Sequence, residues 1–520
     1  MERAGPRRAR RRGARRAPSR RPEAAGGGGM SWLHDVLEAV FAVLAWPSAI
    51  YFIVANTSML VLILVASRHF ARYLRRSEHR GEDAMAGSPV SLGVTVIVPA
   101  YNEGAVILTS VRSMLDLRYP DHEVIVVNDG SADETMALLK EEFALVEDDR
   151  DLPGRIPVRG RLRGVWRAPE GAVPLVVVDK ENSGRSDSVN AALDLASKEL
   201  VVMVDADSIL EPDALLSVSK PFADDPDRVV ATGGVVRIVN NSRVLGGRIV
   251  ELRMPKQLIT RIQVVEYLRA FLLGRTAWSD LNALILISGA FGMFRRDVLV
   301  ELGGLDPDSI GEDFELVMRI QRWIRDGHRE ARVRFVAEPV SWTEAPSTLK
   351  VLARQRRRWH RGLWEVLWKF RGMLLNPRYG RVGMLALPYY WLFELLAPLI
   401  ELVGIVIVVL GLLVGAVDPV AALLLLLVSY GYGTIVTLAA VVVEEASFHR
   451  YERWRDLAAV LWAVLAESLG YRQLTAIWRI QGWWAALTGR KQVWGEMTRT
   501  GFAGATASGS IASGQAERGD

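Results

Sequence analysis

The stretch "VVMVDADSIL", residues 201–210, joins an apolar run to two carboxylates. Its first four residues form a short, continuous apolar run, as expected for a parallel strand buried on both faces of a sheet. Asp205 and Asp207 then follow, separated only by Ala206. Carboxylates do not stabilise the end of a core strand, so we expect this pair to bind something at the edge of a sheet.

Three similar runs precede this one and complete a repeating pattern. The four apolar runs are Val94 to Val98, Glu123 to Val127, Pro174 to Val178 and Leu200 to Val204. Helix-like stretches separate them, at Ala105 to Leu115, Asp133 to Phe143 and Ser186 to Ala196. This alternation predicts a Rossmann-like parallel sheet with right-handed crossovers.

Polar segments follow all four predicted strands. They are "PAYNE" (99–103), "NDGSADET" (128–135), "DKENSGRSDSVN" (179–190) and "DADS" (205–208). Ligands of such sheets bind beyond the carboxyl ends of the strands, so four polar tips predict one shared site. A single acidic or hydroxyl residue there is often only a helix cap, and Asp133 and Ser186 fit that simpler interpretation.

Asp205 and Asp207 point the same way along an extended chain, which places two carboxylates on one face. Mg²⁺ or Mn²⁺ typically takes one or two carboxylates and completes its shell with substrate phosphates and water. We therefore expect the pair to hold a divalent metal that bridges a diphosphate. Lys180 and Arg185 could add positive charge to the same phosphates.

Long apolar stretches lie on both sides of this α/β region. The stretches are Ala39 to Ser67 and Pro419 to Val443, which carry no charge, and Val382 to Val417, which carries two Glu. A spanning helix needs about 20 residues, so we expect one N-terminal span and at least two C-terminal spans. Pro47 could break the first into a partial hairpin, and a third span or an interfacial helix is expected after residue 455.

Charges near these stretches predict orientation and a polar path. The N-terminal stretch is followed by Arg68, Arg72, Arg75, Arg76 and Arg80. Positive flanks stay inside the cell, so a multi-pass protein of the inner cell membrane with a cytoplasmic catalytic domain is predicted. Glu394 and Glu401 are expensive at membrane depth and predict a polar path, unless they mark the boundary between an interfacial helix and the span.

Composition sets further limits. The 520 residues include no cysteine, which excludes disulfides and thiolate metal sites. Residues 1–29 hold ten Arg and two Glu, so the net charge of +5 becomes −3 for the other 491 residues. The leader is expected to be disordered, with Met30 as the true start, and it is the only feature that would favour binding to nucleic acid or anionic lipid.

Five segments in this order resemble the membrane-bound family 2 glycosyltransferases, which include poly-N-acetylglucosamine, cellulose, chitin and hyaluronan synthases. The segments are "VTVIVPAYNE", "VIVVNDGSADET", "VMVDADS", "GED" (311–313) and "QRRRW" (355–359). The resemblance covers about residues 90–480. It implies a cytoplasmic GT-A domain between N- and C-terminal transmembrane helices, and inverting, metal-dependent transfer from a UDP-sugar to a polysaccharide.

The resemblance also implies a role for each matching residue. Nucleoside contacts would come from Ala100, Tyr101, Glu103 and Asp129, and Asp205 would contact the nucleotide or sugar. The metal would be held by Asp207 together with Asp205. Asp313 of "GED" would be the catalytic base, although an acid at the start of the amphipathic stretch "GEDFELVMRI" could simply favour a helix N-terminus.

The acceptor entrance would be formed by Gln355, Arg358 and Trp359, close to the diphosphate, where Arg358 could bind phosphate oxygens in bidentate fashion. The segment 351–380 that contains them has an apolar stripe at helical spacing, which predicts an interfacial helix with Trp364 and Trp368 at the membrane surface. One departure stands out. "KENSGRSDSVN" has Ser183 and Arg185 where the family has Gly and Lys, which puts phosphate contacts by Arg185 in doubt.

The predicted organisation is therefore a leader (1–29), an N-terminal transmembrane segment (30–80), a GT-A domain (90–350), the interfacial helix (351–380), C-terminal transmembrane helices (381–480) and a polar tail (481–520). The basic insert at 151–167 is expected to be a surface loop over the nucleotide side. Processive polymer synthesis with export is favoured, with accessory export or regulatory subunits as candidate partners. Transfer of one sugar to a lipid or other non-polymer acceptor is the alternative, and no nucleic acid is expected as a partner.

Overall fold

The structure is a computed structural model that describes residues 28–76, 92–169, 171, 173–448 and 454–489. The predicted leader and all of the predicted tail beyond residue 489 lie outside these residues. Within residues 481–487, helix continues where a polar tail was predicted.

A mixed ten-stranded sheet forms the centre of the catalytic domain. Its strands are β1 (Val94–Ala100), β2 (His122–Asp129), β3 (Val146–Asp148), β4 (Leu162–Arg167), β5 (Leu175–Lys180), β6 (Leu200–Val204), β7 (Ile209–Leu210), β8 (Val229–Ile238), β11 (Phe291–Arg295) and β12 (Arg332–Thr343), and a separate hairpin contains β9 (Arg243–Leu245) and β10 (Arg248–Glu251). The strand order is β3-β4-β5-β2-β1-β6-β11-β8-β12-β7.

Strands β5, β2, β1 and β6 are parallel neighbours, which confirms the four strands read from the sequence. Their residues are almost entirely buried, because helices cover both faces. The sheet is not parallel throughout, since β4 and β11 each pair antiparallel to both of their neighbours. The alternation of apolar runs and helix-like stretches predicted the four parallel neighbours β5, β2, β1 and β6. It did not predict the other strands of the sheet.

Nine helices of the described residues lie between β1 and the C-terminal apolar region. They are α2 (Ile107–Leu115), α3 (Thr135–Glu142), α4 (Arg185–Leu195), α5 (Ala214–Asp224), α6 (Leu258–Tyr267), α7 (Thr276–Asp280), α8 (Arg296–Glu301), α9 (Glu312–Asp326) and α10 (Leu349–Lys369). A π-helical segment, Leu268–Arg275, joins α6 to α7, and two 3-10 turns, Arg371–Met373 and Pro377–Tyr379, follow α10.

Among the described residues, three helical regions are long and apolar enough to cross a membrane: Trp32–Arg72, Val382–Leu413 and Pro419–Ala446. The elements are α1 (Gly28–Arg76), α11 (Leu387–Tyr389), α12 (Ala397–Leu413), α13 (Pro419–Leu426) and α14 (Tyr432–Phe448), with π-helical segments at Val382–Ala386, Tyr390–Leu395 and Leu427–Gly431. One N-terminal and at least two C-terminal spans were predicted, and three helical regions of suitable length and composition are present at these places.

Two expectations about the membrane region are refined. Pro47 does not break the N-terminal span, because α1 runs unbroken through it for 49 residues. After residue 453, α15 (Trp454–Ala466) and α16 (Arg472–Leu487) are joined through Glu467–Tyr471, and the chain kinks there at Leu469 and Gly470. This pair is not among the three helical regions apolar enough to span, and α16 instead packs along α10.

The basic insert is a strand as well as a loop. Its second half forms β4 at the antiparallel end of the sheet. The preceding loop is held by two buried carboxylates of α4: Asp194 accepts hydrogen bonds from the Gly154 and Arg155 backbone N–H groups, and Asp187 accepts from Arg159 and Gly160. The expectation of a simple surface loop is therefore only partly correct.

Candidate active site

Hydrogen bonds tie the turn after β1 to the turn after β2. The Asn102 N–H donates to Ser131 Oγ at 3.0 Å, and the Asn102 side chain accepts from Ala132 N–H at 2.9 Å. The Glu103 N–H donates to Thr135 Oγ1 at 2.9 Å. These contacts hold the "PAYNE" and "NDGSADET" segments as one surface, on which Tyr101 is 46% exposed.

Asp129 joins the second turn to the third. Its carboxylate accepts hydrogen bonds from the backbone N–H groups of Ser183 (3.0 Å) and Gly184 (2.9 Å). The turn passes so close that a Cβ on Gly130 would lie 2.7 Å from Asn182 N, and Gly130 also has φ of +68°. Glycine is therefore required at this position of "NDG" for both space and conformation.

Lys180 is completely buried beneath this turn. Its ammonium group donates to Asp129, Ser183 and, at 3.0 Å, to the Glu181 carbonyl oxygen, and lies 3.3 Å from Asp187. All three of its donors are engaged inside the protein. An ammonium group so enclosed could reach a ligand only by leaving two buried carboxylates unpaired, and the phosphate contact predicted for Lys180 stays a prediction.

Arg185 links the two acidic motifs "DAD" and "GED". Its guanidinium donates to Asp205 Oδ1 at 3.1 Å, to the Gly289 carbonyl oxygen at 2.6 Å and to Glu312 Oε1 at 3.3 Å. Burial by itself would lower the pKa of Arg185, but the charges of Asp205, Glu312 and Asp313 together raise it above its usual value. The guanidinium is therefore a fixed positive charge between the two motifs.

Asp205 and Asp207 both lie at the end of β6, as predicted. The Asp205 side chain is 37% exposed beside Arg185, whereas Asp207 is 7% exposed and accepts a hydrogen bond from Thr343 Oγ1 at 3.3 Å. Among the described residues, no group of three or more His, Cys, Asp or Glu side chains is arranged to hold a metal. The two carboxylates fit a metal that completes its shell with substrate phosphates, and they do not form an all-protein site.

Asp313 lies in the first turn of α9, beside the Gly289 backbone that Arg185 also contacts. Its Oδ2 accepts from the Gly289 N–H at 3.0 Å, while the Gly289 carbonyl accepts from Arg185. Its neighbour Glu312 is an acid that the sequence interpretation passed over, and burial raises the pKa of Glu312 above its usual range. Asp313 is thus both an acid at a helix start and a member of the site, so its two interpretations are compatible.

The "QRRRW" segment lies in α10, which ends at Lys369 and so covers only part of the predicted segment 351–380; its position at the membrane interface stays a prediction. Gln355 is buried, and its Oε1 has no hydrogen-bond partner among the described residues. Arg358 is close enough to Glu312 for its charge to lower the pKa of that carboxyl against the larger effect of burial. Trp359 is 43% exposed and lies 4.6 Å from the guanidinium of Arg356.

Trp364 and Trp368, predicted as membrane-surface anchors, stack on each other with ring centroids 5.1 Å apart. Trp364 also contacts Trp391 at 6.0 Å and Trp483 at 5.5 Å, so these rings join α10 to the first C-terminal span and to α16. Trp368 is 48% exposed, and its contact with lipid stays a prediction.

A polar cavity of about 230 Å³ lies among the membrane helices; we call it the chamber. Its lining includes the aromatic residues Tyr51, Phe52, Tyr389, Phe393 and Tyr471 and the charged residues Glu266, Arg269, Glu394, Glu401, Glu467, Arg472 and Arg479. Glu394 and Glu401 therefore face a polar space, as their position in the sequence predicted.

Ion pairs in the chamber lining join helical segments that are far apart in sequence. Arg472 Nε lies 2.9 Å from Glu401, Arg269 lies 2.6 Å from Glu467, and Arg479 lies 3.5 Å from Glu394. A fourth pair joins Arg356 of α10 to Glu266 of α6. The chamber wall is thus a charge-balanced surface that begins beside the "QRRRW" helix.

The nucleotide-side turns, the acidic motifs and the membrane helices together define a membrane-bound glycosyltransferase with a GT-A fold. Comparison of family models supports this class. The model described as "Glycosyl transferase family 2" matches residues 95–158, and "Glycosyltransferase like family 2" matches residues 162–362. The chain belongs to the family 2 glycosyltransferases, and the family named from its motifs is confirmed.

Curated relatives include poly-beta-1,6-N-acetyl-D-glucosamine synthases. That of Staphylococcus aureus (strain COL) is 28% identical over 302 residues, or 58% of this chain and 61% of the relative. That of Staphylococcus epidermidis is 27% identical over 321 residues, or 61% of this chain and 63% of the relative. The chain therefore matches these relatives over less than two thirds of their length.

Two solved structures are among those to which the chain is similar. A mannosyltransferase from Pyrobaculum calidifontis, in complex with GDP-Man and Mn²⁺, is 18% identical with a TM-score of 0.45, covering 85% of this chain and 100% of the other. Residues 1–349 of TarS from S. aureus, in complex with UDP-GlcNAc, are 16% identical with a TM-score of 0.36, covering 70% and 93%.

Proposed function

We propose that this enzyme transfers a sugar from a UDP-sugar, in the first instance UDP-N-acetylglucosamine, to a growing β-linked polysaccharide at the cytoplasmic face of the inner membrane. The observation that carries the proposal is the linked set of motif turns, which unites Asp129, Arg185, Asp205 and Asp313 at one sheet edge. A polar chamber in the membrane region lies beyond it.

The nucleoside binds on the joined turns after β1 and β2, where Ala100, Tyr101, Glu103 and Asp129 are candidates for contact. Asp207 and Asp205 would hold Mg²⁺ or Mn²⁺ against the diphosphate. A metal bound there neutralises the charge that develops on the leaving group. Arg185 holds Asp205 toward the reacting centre, because its guanidinium is fixed between Asp205 and Glu312.

The chemical step is a single displacement with inversion. Asp313 accepts the proton of the attacking acceptor hydroxyl as its oxygen forms a bond to the anomeric carbon. The bond from that carbon to the diphosphate oxygen breaks, and UDP leaves with the electron pair. The Gly289 N–H orients the carboxylate for this role through its bond to Asp313 Oδ2.

The acceptor and the leaving group meet the α10 helix. Arg358 would interact with diphosphate oxygens, and the Oε1 of buried Gln355, which has no partner among the described residues, would accept a hydrogen bond from a ligand. Trp359 offers an exposed ring at the acceptor entrance. Glu266 lines the chamber and pairs with Arg356 of α10. We therefore propose that the product passes outward along the chamber, in processive synthesis with export.

The choice of sugar rests on the curated relatives, which are named as poly-beta-1,6-N-acetyl-D-glucosamine synthases. Their partial coverage leaves the linkage and the export and regulatory partners to experiment. A panel of UDP-sugars supplied to the purified enzyme in detergent identifies the donor from UDP release. High-molecular-mass product supports polymer synthesis, whereas labelled product that extracts into organic solvent supports the alternative of transfer to a lipid.

Asp313→Asn tests the chemical assignment, since it removes proton affinity and keeps the shape of the side chain. Transfer should fall by about 10²-fold or more, while the Kd for the UDP-sugar, measured by calorimetry, and its metal dependence stay unchanged. The matched control is Asp308→Asn, at a carboxylate that is 74% exposed on the preceding loop. Loss of donor affinity in step with rate would place Asp313 in the donor site instead.

A further inference from the structure

Arg275 is a buried cation without a counter-ion. It ends the π-helical segment Leu268–Arg275 and is 8% exposed, with its guanidinium 3.7 Å from the centre of the Phe271 ring. Among the described residues its side chain makes no ion pair and no hydrogen bond, and its Nη1 is buried without a partner. Burial of an unpaired charge is costly, so this arrangement calls for an explanation.

Other buried arginines of the molecule differ in this respect. Arg185 is bound by Asp205 and Glu312, Arg269 by Glu467 and Arg356 by Glu266. Each of these charges is compensated within the protein. Among the described residues, the one direct contact given for the Arg275 guanidinium is with the face of Phe271, which leaves its buried Nη1 for another group.

The charge of Asp313 acts on Arg275. Burial lowers the pKa of Arg275 to about 10, and the groups that oppose this shift are Tyr390, Asp313 and Tyr267. The guanidinium therefore stays protonated at neutral pH, within electrostatic range of Asp313. Tyr390 belongs to the π-helical segment that also supplies Phe393 and Glu394 to the chamber wall.

Aromatic rings form contacts from the residues next to Arg275 to Phe314, the residue that follows Asp313. The Tyr267 and Phe271 rings stack at 5.1 Å, and the Tyr390 ring lies 6.1 Å from Phe314 and 6.3 Å from Trp278. Aromatic faces combined with a few polar donors are typical of sites that bind partly apolar organic ligands. π-helical turns, present here in both facing segments, are frequent at functional sites.

We propose that Arg275 binds the terminal sugar of the acceptor saccharide, donating hydrogen bonds to its hydroxyl or amide oxygens while Asp313 faces the attacking hydroxyl. This inference rests on the proposed function. A saccharide offers several oxygen acceptors to a five-donor guanidinium and apolar ring faces to the surrounding aromatics. The diphosphate is a poorer match, because Asp205 and Arg185 mark the donor side, and the negative faces of aromatic rings disfavour phosphate.

Arg275→Gln in the full-length enzyme in detergent tests the assignment, with a β-linked N-acetylglucosamine oligosaccharide as acceptor. The acceptor KM should rise about 10- to 100-fold, as expected when a charged hydrogen-bond donor is lost, while the calorimetric Kd for the UDP-sugar is unchanged. Arg275→Lys keeps the charge and should recover part of the loss. The matched control is Arg334→Gln, a partly buried arginine whose Nη1 donates to Asn282 Oδ1 at 3.2 Å near the end of α7.

The outcomes separate the possibilities. A raised donor Kd in Arg275→Gln assigns the residue to the donor site and overturns the proposal. An unchanged acceptor KM with a lowered melting temperature in both Arg275 variants shows a structural cation–π contact and also overturns it. Wild-type enzyme that binds no nucleotide sugar overturns the proposed function, and with it this proposal, whereas a selective change in acceptor KM concerns Arg275 alone.

Discussion

Arg185 has the same charge as the lysine that the family carries at this position, but its planar fork allows a different arrangement. Three groups accept from it at once: Asp205, Glu312 and the Gly289 carbonyl. A lysine, with its single compact charge, could not span the two acidic motifs in this way. Arg185 therefore links the acidic motifs "DAD" and "GED". The contact of Arg185 with phosphate stays a prediction.

Asp207 provides a test of metal use at the same scale. Asp207→Ala should abolish turnover and make UDP-sugar binding insensitive to Mn²⁺ or Mg²⁺, because the remaining carboxylate, Asp205, is already paired with Arg185. Calorimetric titration with and without metal measures this directly. The control is Asp213→Ala, at a partly exposed carboxylate farther along the chain. A variant that still showed metal-dependent donor binding would require a different set of ligands.

At the scale of elements, the contact between α10 and α16 ties the catalytic domain to the last helix. The helices approach so closely that a Cβ on Gly482 would lie 2.3 Å from the Arg357 carbonyl oxygen. His360 is buried in the same contact, with its Nδ1 3.3 Å from Arg479 Nε. Burial, followed by the nearby charge of Arg479, lowers the pKa of His360 to about 2.

This histidine predicts acid sensitivity of the contact. Above the unfolded-state pKa of about 6.5, His360 is neutral in both states and its contribution to stability is complete. Below that pH the unfolded state binds a proton that the folded state excludes, so stability falls by up to about 1.4 kcal/mol per pH unit as the pH drops from 6.5 toward 2. Apparent melting temperatures in detergent between pH 7.5 and about 5 should fall less steeply in His360→Gln than in the wild type. Equal slopes would show that other groups control the acid limit.

At the scale of the whole molecule, the two ends of α1 contact different parts of the chain. His34, near the start of α1, lies 3.1 Å from the Val414 carbonyl after the first C-terminal span. At the other end of α1, His69 lies 2.9 Å from Asp280 of the catalytic domain. The second C-terminal span returns to that domain, where Glu444 pairs with Arg237 at 3.0 Å.

Orientation can be tested because the chain contains no cysteine. Leu413→Cys, at the last residue of the first C-terminal span and 77% exposed, should react with a membrane-impermeant maleimide in intact cells. Asp308→Cys, on the catalytic domain, should react only after the membrane is permeabilised, because the arginines that follow the first span favour the cytoplasm. The reverse pattern would mean that the catalytic domain faces outward, and the cysteine-free parent protein supplies the background.

The amino-acid sequence alone determined the strands β1, β2, β5 and β6, the acidic turns that follow them and the three apolar spans. These features depend on local patterns, namely apolar runs, turn residues and segment length, which a single stretch of chain carries by itself. The tertiary structure alone decided what the charged side chains contact. Lys180 is buried with Asp129 at a separation of 51 residues, Arg185 meets Glu312 127 residues away, and Arg269 meets Glu467 198 residues away. Such pairings follow from how sheet and helices pack, because charge and hydrogen bonding are satisfied by whichever partners the fold brings together, and no local pattern specifies them.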